Sequence, residues 1–545
     1  MANMIFWILL WLLVAALIST NIIHNKNRKK ARYRKLRDSF GNPDQEAADP
    51  VFFDRESSLL EHMKLAAPDD FYLDDITVND LGLRDLYMRM NCVSSCGADY
   101  LQYRFKVLPV SSDRISQEIG GFLADPEKAA DVMCKLDHIG CRSDIDGFGL
   151  IGKLSETKDP SPAVDILPVL FLVAAVILTG YYPTFGIISV IIMIVVCIAG
   201  YFSGRRQMDE HLNGLAYSLR LIRCGISLSE NNEELEKYRP LGKLDIGSVL
   251  IPMKDKSVSD PLSIILDYIR MITHIDIITY KIKIRGIREN LEAVRDLYID
   301  IGRMDAAVAV ASYMLNRKHC RAGIISDNRI NTVQIYHPLV RKPVYNDFSE
   351  DTPVLITGSN ASGKSTFLRA IGVNILFAKS FGYAFANSFE TGADKLFTSM
   401  ALSDDLLGEE SYYVVEARSL KRICDSAQPG CVCLIDEVLR GTNTVERIAA
   451  SSRILHFLCK KGVLCFAATH DLELTHLLDD DMDCYYFTEE ISGGNVSFPF
   501  RIQNGSSDKT NAIRLLDVMG FDKDTVDSAN ELVRRYKKTG IWSDK

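Results

Sequence analysis

The chain reads Val354-Leu355-Ile356-Thr357-Gly358-Ser359-Asn360-Ala361-Ser362-Gly363-Lys364-Ser365-Thr366. The first four residues are apolar or β-branched and uncharged, which predicts a buried strand; the next stretch is a glycine-rich loop, and Phe367-Leu368-Arg369-Ala370 opens a helix. Strand, loop and helix thus follow in the order that a phosphate-binding loop needs. Gly358 and Gly363 let the backbone curl, so that its N–H groups and the helix N-terminus face phosphate oxygens. In this reading Lys364 neutralises the β- and γ-phosphates and the Ser365 hydroxyl ligates Mg²⁺. Ser359, Asn360, Ala361, Ser362 and Thr366 complete the cradle.

Working outward, two further strands end in chemistry. Cys431 to Ile435 is an apolar β-type run that delivers Asp436-Glu437. One carboxylate belongs beside the metal, the other near the terminal phosphate, so Asp436 is the metal-side candidate and Glu437 the candidate base or positioner of an attacking water. Val463 to Ala468 then delivers Thr469-His470-Asp471, where a neutral His470 imidazole would reach the γ-phosphate or the water. From about Ile324 onward short β-rich runs alternate with helices, the pattern of a sheet flanked by helices. The expected fold of residues 324–545 is therefore an α/β P-loop ATPase domain.

The rest of the chain is of another kind. With 47% hydrophobic and 25% charged residues the whole chain has material for large cores, and 545 residues call for several domains. Lys and Arg number 63 against 71 Asp and Glu, a net charge of −8 that argues against an overall basic nucleic-acid wrapper. Thirteen cysteines lie scattered without repeated metal-ligand spacing, and Cys92 and Cys96 read as ordinary buried thiols.

Three apolar stretches predict transmembrane helices. Ile5 to Ile23 precedes a basic run from Lys26 to Arg37, which fits a retained anchor with its N-terminus outside. Val164 to Gly180 and Phe185 to Tyr201, separated by Tyr181-Tyr182-Pro183-Thr184, read as a membrane hairpin that returns at Arg205 and Arg206. The expected location is thus a multi-pass membrane protein with its ATPase domain in the cytoplasm.

The expected organisation is an N-terminal anchor (1–23), a basic then acidic connector (24–72), a helical domain (73–162), the hairpin (163–203), a second helical part (204–323) and the α/β domain (324–545). Helical spacing marks Leu81 to Met90, Gly97 to Val107, 207–238 and 261–318, with no competing strand signal in the first part. Lys281, Lys283, Arg285 and Arg288 form a small basic run, normally a solvated helix face.

Tyr336-His337-Pro338-Leu339, Asn346-Asp347, the loop from Thr357 to Thr366, Asp436-Glu437 with Arg440-Gly441-Thr442, and Ala468-Thr469-His470 stand in one order. In this the chain resembles the MutS family of DNA mismatch-repair ATPases, a branch of the ABC-type P-loop ATPases. The resemblance implies ATP and Mg²⁺ as cofactors. Ser403-Asp404-Asp405-Leu406 and Gly408-Glu409-Glu410-Ser411 resemble the segment that meets the partner subunit's nucleotide, with Ser411 on its γ-phosphate, which implies a homodimer. Val344 or Tyr345 would lie near the adenine, and Asn360 would order the phosphate loop.

Met90-Asn91 through Gly97, Leu101 and Pro109 resemble the start of the family's helical lever, and Asp305 to Ala311 its end, so an all-α lever-like domain split by the hairpin is expected. A mismatch-reading domain, a connector domain and an inserted clamp are not evident, and Leu439 stands where the family usually has glycine. DNA therefore stays open as a partner, beside the membrane and an unidentified protein. The rival readings are an ABC-type ATPase that energises or regulates a membrane process without DNA, a membrane-tethered DNA-repair factor, a transporter, and a nucleotide switch that does not hydrolyse.

Overall fold

A computed structural model describes residues 26–28, 30–42, 48–156, 161–245, 261–359, 362–400, 412–440, 442–492, 495–506 and 512–542. The chain forms two compact units. One takes the residues up to Ala66, Met88–Tyr103 and Glu118–Leu315; the other takes Ala67–Tyr87, Arg104–Gln117 and Asn316–Lys545. Residues 67–87 and 104–117, grouped by sequence with the connector and the first helical part, cluster instead with the α/β residues. They bring a two-stranded antiparallel ladder, Phe71–Tyr72 with Val107–Leu108, where a loose connector and a helix were expected. Val107 is thus a strand residue, and the helix before it spans Ser95–Phe105.

The first unit is helical. α1 (Ala163–Tyr181) and α2 (Pro183–Ser229) form the expected hairpin. Only Tyr182 lies between them, because Pro183 occupies the first helical position, where its missing N–H leaves no bond unmade. α1 and the first part of α2, Pro183–Arg205, are long and apolar enough to cross a membrane, and are only 11% and 17% buried. These two are the candidate spans among the described residues; the third expected span, Ile5 to Ile23, lies outside them.

The hairpin does not give way to a new helix after Arg206. α2 continues unbroken for 47 residues, about 70 Å at 1.5 Å per residue. Its second half buries Leu212, Leu215, Leu219 and Ile222 in the helical core. α3 (Pro261–Thr273), α4 (Ile275–Glu289) and α5 (Leu291–Met314) complete the set used below. The segments that sequence likened to the two ends of a lever meet in this core. Asp305 of α5 accepts hydrogen bonds from the backbone N–H of Val93 (3.2 Å) and Ser94 (2.8 Å) and from the Ser94 hydroxyl. Cys92 and Cys96 beside them are buried free thiols, and burial pushes the Cys96 thiol up to about 12.

The second unit is built on a six-stranded sheet. Its strands are β1 (Val354–Thr357), β2 (Lys395–Ser399), β3 (Cys431–Asp436), β4 (Leu464–Thr469), β5 (Asp483–Tyr486) and β6 (Gln503–Asn504). The spatial order is β2-β3-β4-β1-β5-β6, the first five parallel and β6 antiparallel at the edge. Three helices matter for the site: α6 (Lys364–Phe381), α7 (Tyr412–Ser426) and α8 (Thr444–Lys460).

The central strands are uniformly apolar because helices cover both faces, so neither side can carry the polar alternation of a one-sided sheet. Cys433, Ile435, Cys465 and Ala467 pack with Leu420 and Ile423 of α7 and Leu455 and Leu458 of α8. On the other face α6 comes so close that a Cβ on Gly372 would stand 2.9 Å from Leu434 Cδ1. A second, four-stranded sheet joins Gly323–Ile324, Ser388–Thr391, Ile330–Ile335 and Asn346–Glu350.

Candidate functional site

Strand register assembles the site. β1 and β4 are neighbours with Thr357 opposite Thr469, so Gly358 and His470 leave the sheet side by side. β3 pairs with β4 so that Asp436 lies opposite Ala468, which puts Asp436-Glu437 at the same sheet edge. All three strands run parallel, and their C-terminal ends converge where ligands bind in such sheets.

Lys364 is buried in the first turn of α6. Its Nζ donates to the carbonyls of Gly358 (2.7 Å) and Ser359 (2.9 Å) and lies 3.5 Å from His470 Nδ1. Burial pulls the ammonium down to about 8, with Arg440 adding to the effect and Asp436 and Glu437 opposing it. The loop needs its glycines. Gly358 and Gly363 stand at φ +144° and +110°, and a Cβ on Gly358 would come within 2.6 Å of the Phe487 carbonyl oxygen.

His470 Nδ1 lies 2.9 Å from the Gly358 carbonyl, and Nε2 lies 2.5 Å from Glu437 Oε1. Nδ1 thus faces both the Gly358 carbonyl and, at 3.5 Å, the Lys364 ammonium, while Nε2 faces the Glu437 carboxylate. Glu437 also pairs with Arg440. Burial pushes the Glu437 carboxyl up, but the His470 hydrogen bond and the charges of His470, Arg440 and Lys364 outweigh it, and the net shift is downward.

The turn that carries Glu437 is held from three sides. Glu437 and Leu439 both adopt left-handed backbone, at φ +59° and +61°. The Glu437 N–H donates to the Ala468 carbonyl (2.9 Å), the Ser451 hydroxyl to the Val438 carbonyl (3.1 Å), and the Leu439 N–H to the buried Glu416 Oε1 (2.6 Å). Strain of this kind persists only where its surroundings over-determine it. Burial raises the Glu416 carboxyl against the hydrogen bonds it accepts.

Asp436 is buried, and its Oδ1 has no hydrogen-bond partner among the described residues. An unpaired buried carboxylate oxygen beside the hydroxyl-bearing first turn of α6 is the donor chemistry that a hard cation with phosphate ligands takes. The residues fit Mg²⁺, with Asp436 and Ser365 as holders.

A cavity of about 210 Å³ adjoins the phosphate loop, lined among others by His337, Val344, Gly363, Thr366, Phe487 and Phe500. That is smaller than a site for a whole drug-sized ligand and suits one flat ring system. Asn346 ties its wall together, donating to the Phe500 carbonyl (3.1 Å) and accepting from the Ile502 N–H (2.9 Å). Burial and Arg369 lower His337 to about 4, so it is neutral. Of the two residues offered for the adenine, Val344 lines this cavity. Tyr345 packs instead on the Tyr336 ring, centroids 5.4 Å apart.

Asn360, Ala361 and Ser411, together with the segment from Ser403 to Glu410, lie outside the described residues. Sequence reading missed Glu416, Phe487, Phe500 and Glu489, whose Oε2 accepts from the Ser359 hydroxyl at 2.7 Å. It also missed the double hydrogen bond from Arg447 to Asp471 (2.9 and 2.5 Å). Only the last had a signal, since Asp471 directly follows His470.

Residues 354–537 match the family model described as MutS domain V. Over these residues the chain is similar to MutS domain V. Among curated relatives it is 27% identical over 279 residues to the DNA mismatch repair protein MutS of Halothermothrix orenii, covering 48% of this chain and 31% of that one. It is 28% identical over 258 residues to MutS of Methanococcoides burtonii, covering 45% and 29%. The chain thus spans about a third of the length of these relatives. Leu439, which sequence reading set where the MutS family usually has glycine, stands at a positive φ, a conformation that glycine adopts without strain. Here burial of the leucine in the core between β3, α7 and α8 offsets that strain.

Proposed function

We propose that this MutS-like chain is an ATPase that binds Mg-ATP at the loop of Lys364, hydrolyses it, and works as a homodimer attached to a membrane. The observation that carries this reading is the convergence of Lys364, Asp436, Glu437 and His470 at one sheet edge. Lys364 would leave the loop carbonyls for the β- and γ-phosphates, which its depressed pKa permits at little cost in desolvation. Bound Mg²⁺ would supply charge neutralisation between the phosphates, held by Ser365 and Asp436. Glu437, kept ionised by His470 and Arg440, would orient and deprotonate the attacking water. His470 would offer its proton to the developing charge on the terminal phosphate.

Dimerisation rests on the MutS likeness of the segment ending at Ser411, which would close over the second copy's nucleotide. The chain passes between its two units at residues 66/67, 87/88, 103/104, 117/118 and 315/316. Five covalent crossings favour a coupling in which closure of the α/β unit moves the helical unit and, through the continuous α2, the hairpin.

The relatives are named DNA mismatch repair proteins, and DNA binding is the second reading. The basic run does not favour it. Lys281 pairs with Asp165, Lys283 donates to the Leu244 carbonyl (2.6 Å), and Arg285 pairs with Glu289 (2.9 Å). We therefore rank a membrane process without DNA first.

The test is phosphate release by the detergent-solubilised chain, wild type against Lys364→Ala. Slow Mg²⁺-dependent turnover, lost in the variant, is expected; equal rates would refute the site. Binding of duplex or branched DNA that responds to both ATP and salt would reverse the ranking of the two readings.

A further inference from the structure

We infer that α3 is a third membrane-contacting element: an amphipathic helix lying in the plane of the bilayer, with its apolar face among the acyl chains at the foot of the hairpin. This rests on reading α1 and α2 as membrane-spanning. Ile264, Ile265, Tyr268 and Ile269 follow one another at i, i+1, i+4 and i+5 and so share one helix face. They are 48–58% exposed, like Ile187 and Ile191 of the hairpin at 56% and 58%. Four large apolar side chains side by side on a water-facing helix have no counterpart in a solvated surface. The other side of α3 carries Asp267 and Arg270, joined at 2.8 Å.

The depth of α3 is fixed by its C-terminal end. His274, which breaks the chain between α3 and α4 at φ +52°, donates from Nε2 to the Cys197 carbonyl of α2 (2.7 Å) and stands 3.7 Å from Asp165. Asp165 lies in the first turn of α1 and pairs with Lys281. One turn along α2 from Cys197, the Tyr201 hydroxyl donates to Asp276 (2.8 Å), and Arg205 reaches the same carboxylate (3.3 Å).

These charged groups mark the ends of both spans, where apolar helix meets water, and α3 ends in that layer. At 13 residues, about 20 Å, it is too short to cross. Its C-terminal end is held against α2 at Cys197, within the stretch of α2 whose apolar side chains are exposed, and lipid is the occupant that a one-sided helix at this level selects.

The test places a photoreactive diazirine amino acid at position 265, 269, 176 or 65 of the full chain. The protein is reconstituted in phosphatidylcholine vesicles with alkyne-tagged acyl chains, and tagged lipid on the chain is read after illumination. Val176 lies in the hairpin; Leu65, 85% exposed on the helix Ser58–Ala66, is the water-facing control. Labelling at 265 and 269 equal to that at 176, and lost at 65, is expected. Labelling at 176 alone, or crosslinks from 265 and 269 to a second copy of the chain, overturns the inference and leaves the hairpin reading intact. No labelling at 176 removes the hairpin reading, and the inference with it. Substituting one exposed side chain leaves the core intact, and ATP turnover of each variant checks its folding.

Discussion

Asp305 in the helical unit and Asp436 in the α/β unit are both buried aspartates, yet they are treated in opposite ways. Asp305 has no ion pair with a cation among the described residues but accepts three hydrogen bonds from Val93 and Ser94, tying α5 to the start of the helix Ser95–Phe105. Burial pushes its carboxyl up to about 6 in spite of those bonds. Asp436 sits at a strand end with an unpartnered oxygen, and its neighbour Glu437 is held ionised on strained backbone. The first acid is spent on the fold. The second is withheld from it, and that difference marks which unit carries chemistry.

Four substitutions and one titration would break or sharpen this contrast. Glu437→Gln removes the ionised acid and is expected to lower ATP turnover about 10³-fold while nucleotide still binds; single-turnover phosphate release reads it, and full activity in the variant would end the assignment. Asp305→Asn puts an amide against donors that need an acceptor, and should lower unfolding free energy by about 2–3 kcal/mol. Asp436→Asn should leave it within about 1 kcal/mol of wild type, since its Oδ1 has no hydrogen-bond partner among the described residues. Denaturant midpoints of the two variants compare them directly, and equal losses would erase the distinction.

Next in size is the pH dependence of binding. Lys364 is lowered, so in the free protein it loses its proton as pH rises through about 8, whereas a bound triphosphate restores the charge. ATP affinity should therefore fall about tenfold per pH unit above 8, levelling toward the ordinary lysine value. Fluorescent-nucleotide titrations from pH 7 to 10 give the slope, and a flat profile would mean the ammonium does not meet the phosphates. Leu439→Gly is the smallest. It relieves about 1 kcal/mol of left-handed strain but forfeits about 2–3 kcal/mol of buried side chain, for a net loss of about 1–2 kcal/mol in thermal unfolding.

Much of the site was legible because local physics writes it into adjacent residues. An uncharged run before G-x-x-x-x-G-K-S can only be a buried strand feeding a phosphate loop, and β1 runs from Val354 to Thr357 as read. Asp436, Glu437 and His470 were legible for the same reason, each ending an apolar run. Glu416, Phe487, Phe500 and Glu489 were not. Each stands 20 residues or more along the chain from the group it serves, and nothing in its own neighbourhood signals the contact. The hairpin was read from length and hydropathy, while the continuity of α2 through Arg205 was hidden, because a charged pair suggests an end that helical hydrogen bonding does not impose.

Sequence by itself determined the phosphate loop, the acids and the apolar spans, since each depends on residues within a turn or a strand of one another. Tertiary structure alone decided that residues 67–87 and 104–117 join the α/β unit, that both nitrogens of His470 face oxygen acceptors, and that Leu439 must bear a left-handed backbone. Those outcomes depend on strand register and on distant donors and acceptors brought to one place, and such energies are absent until the chain has closed on itself.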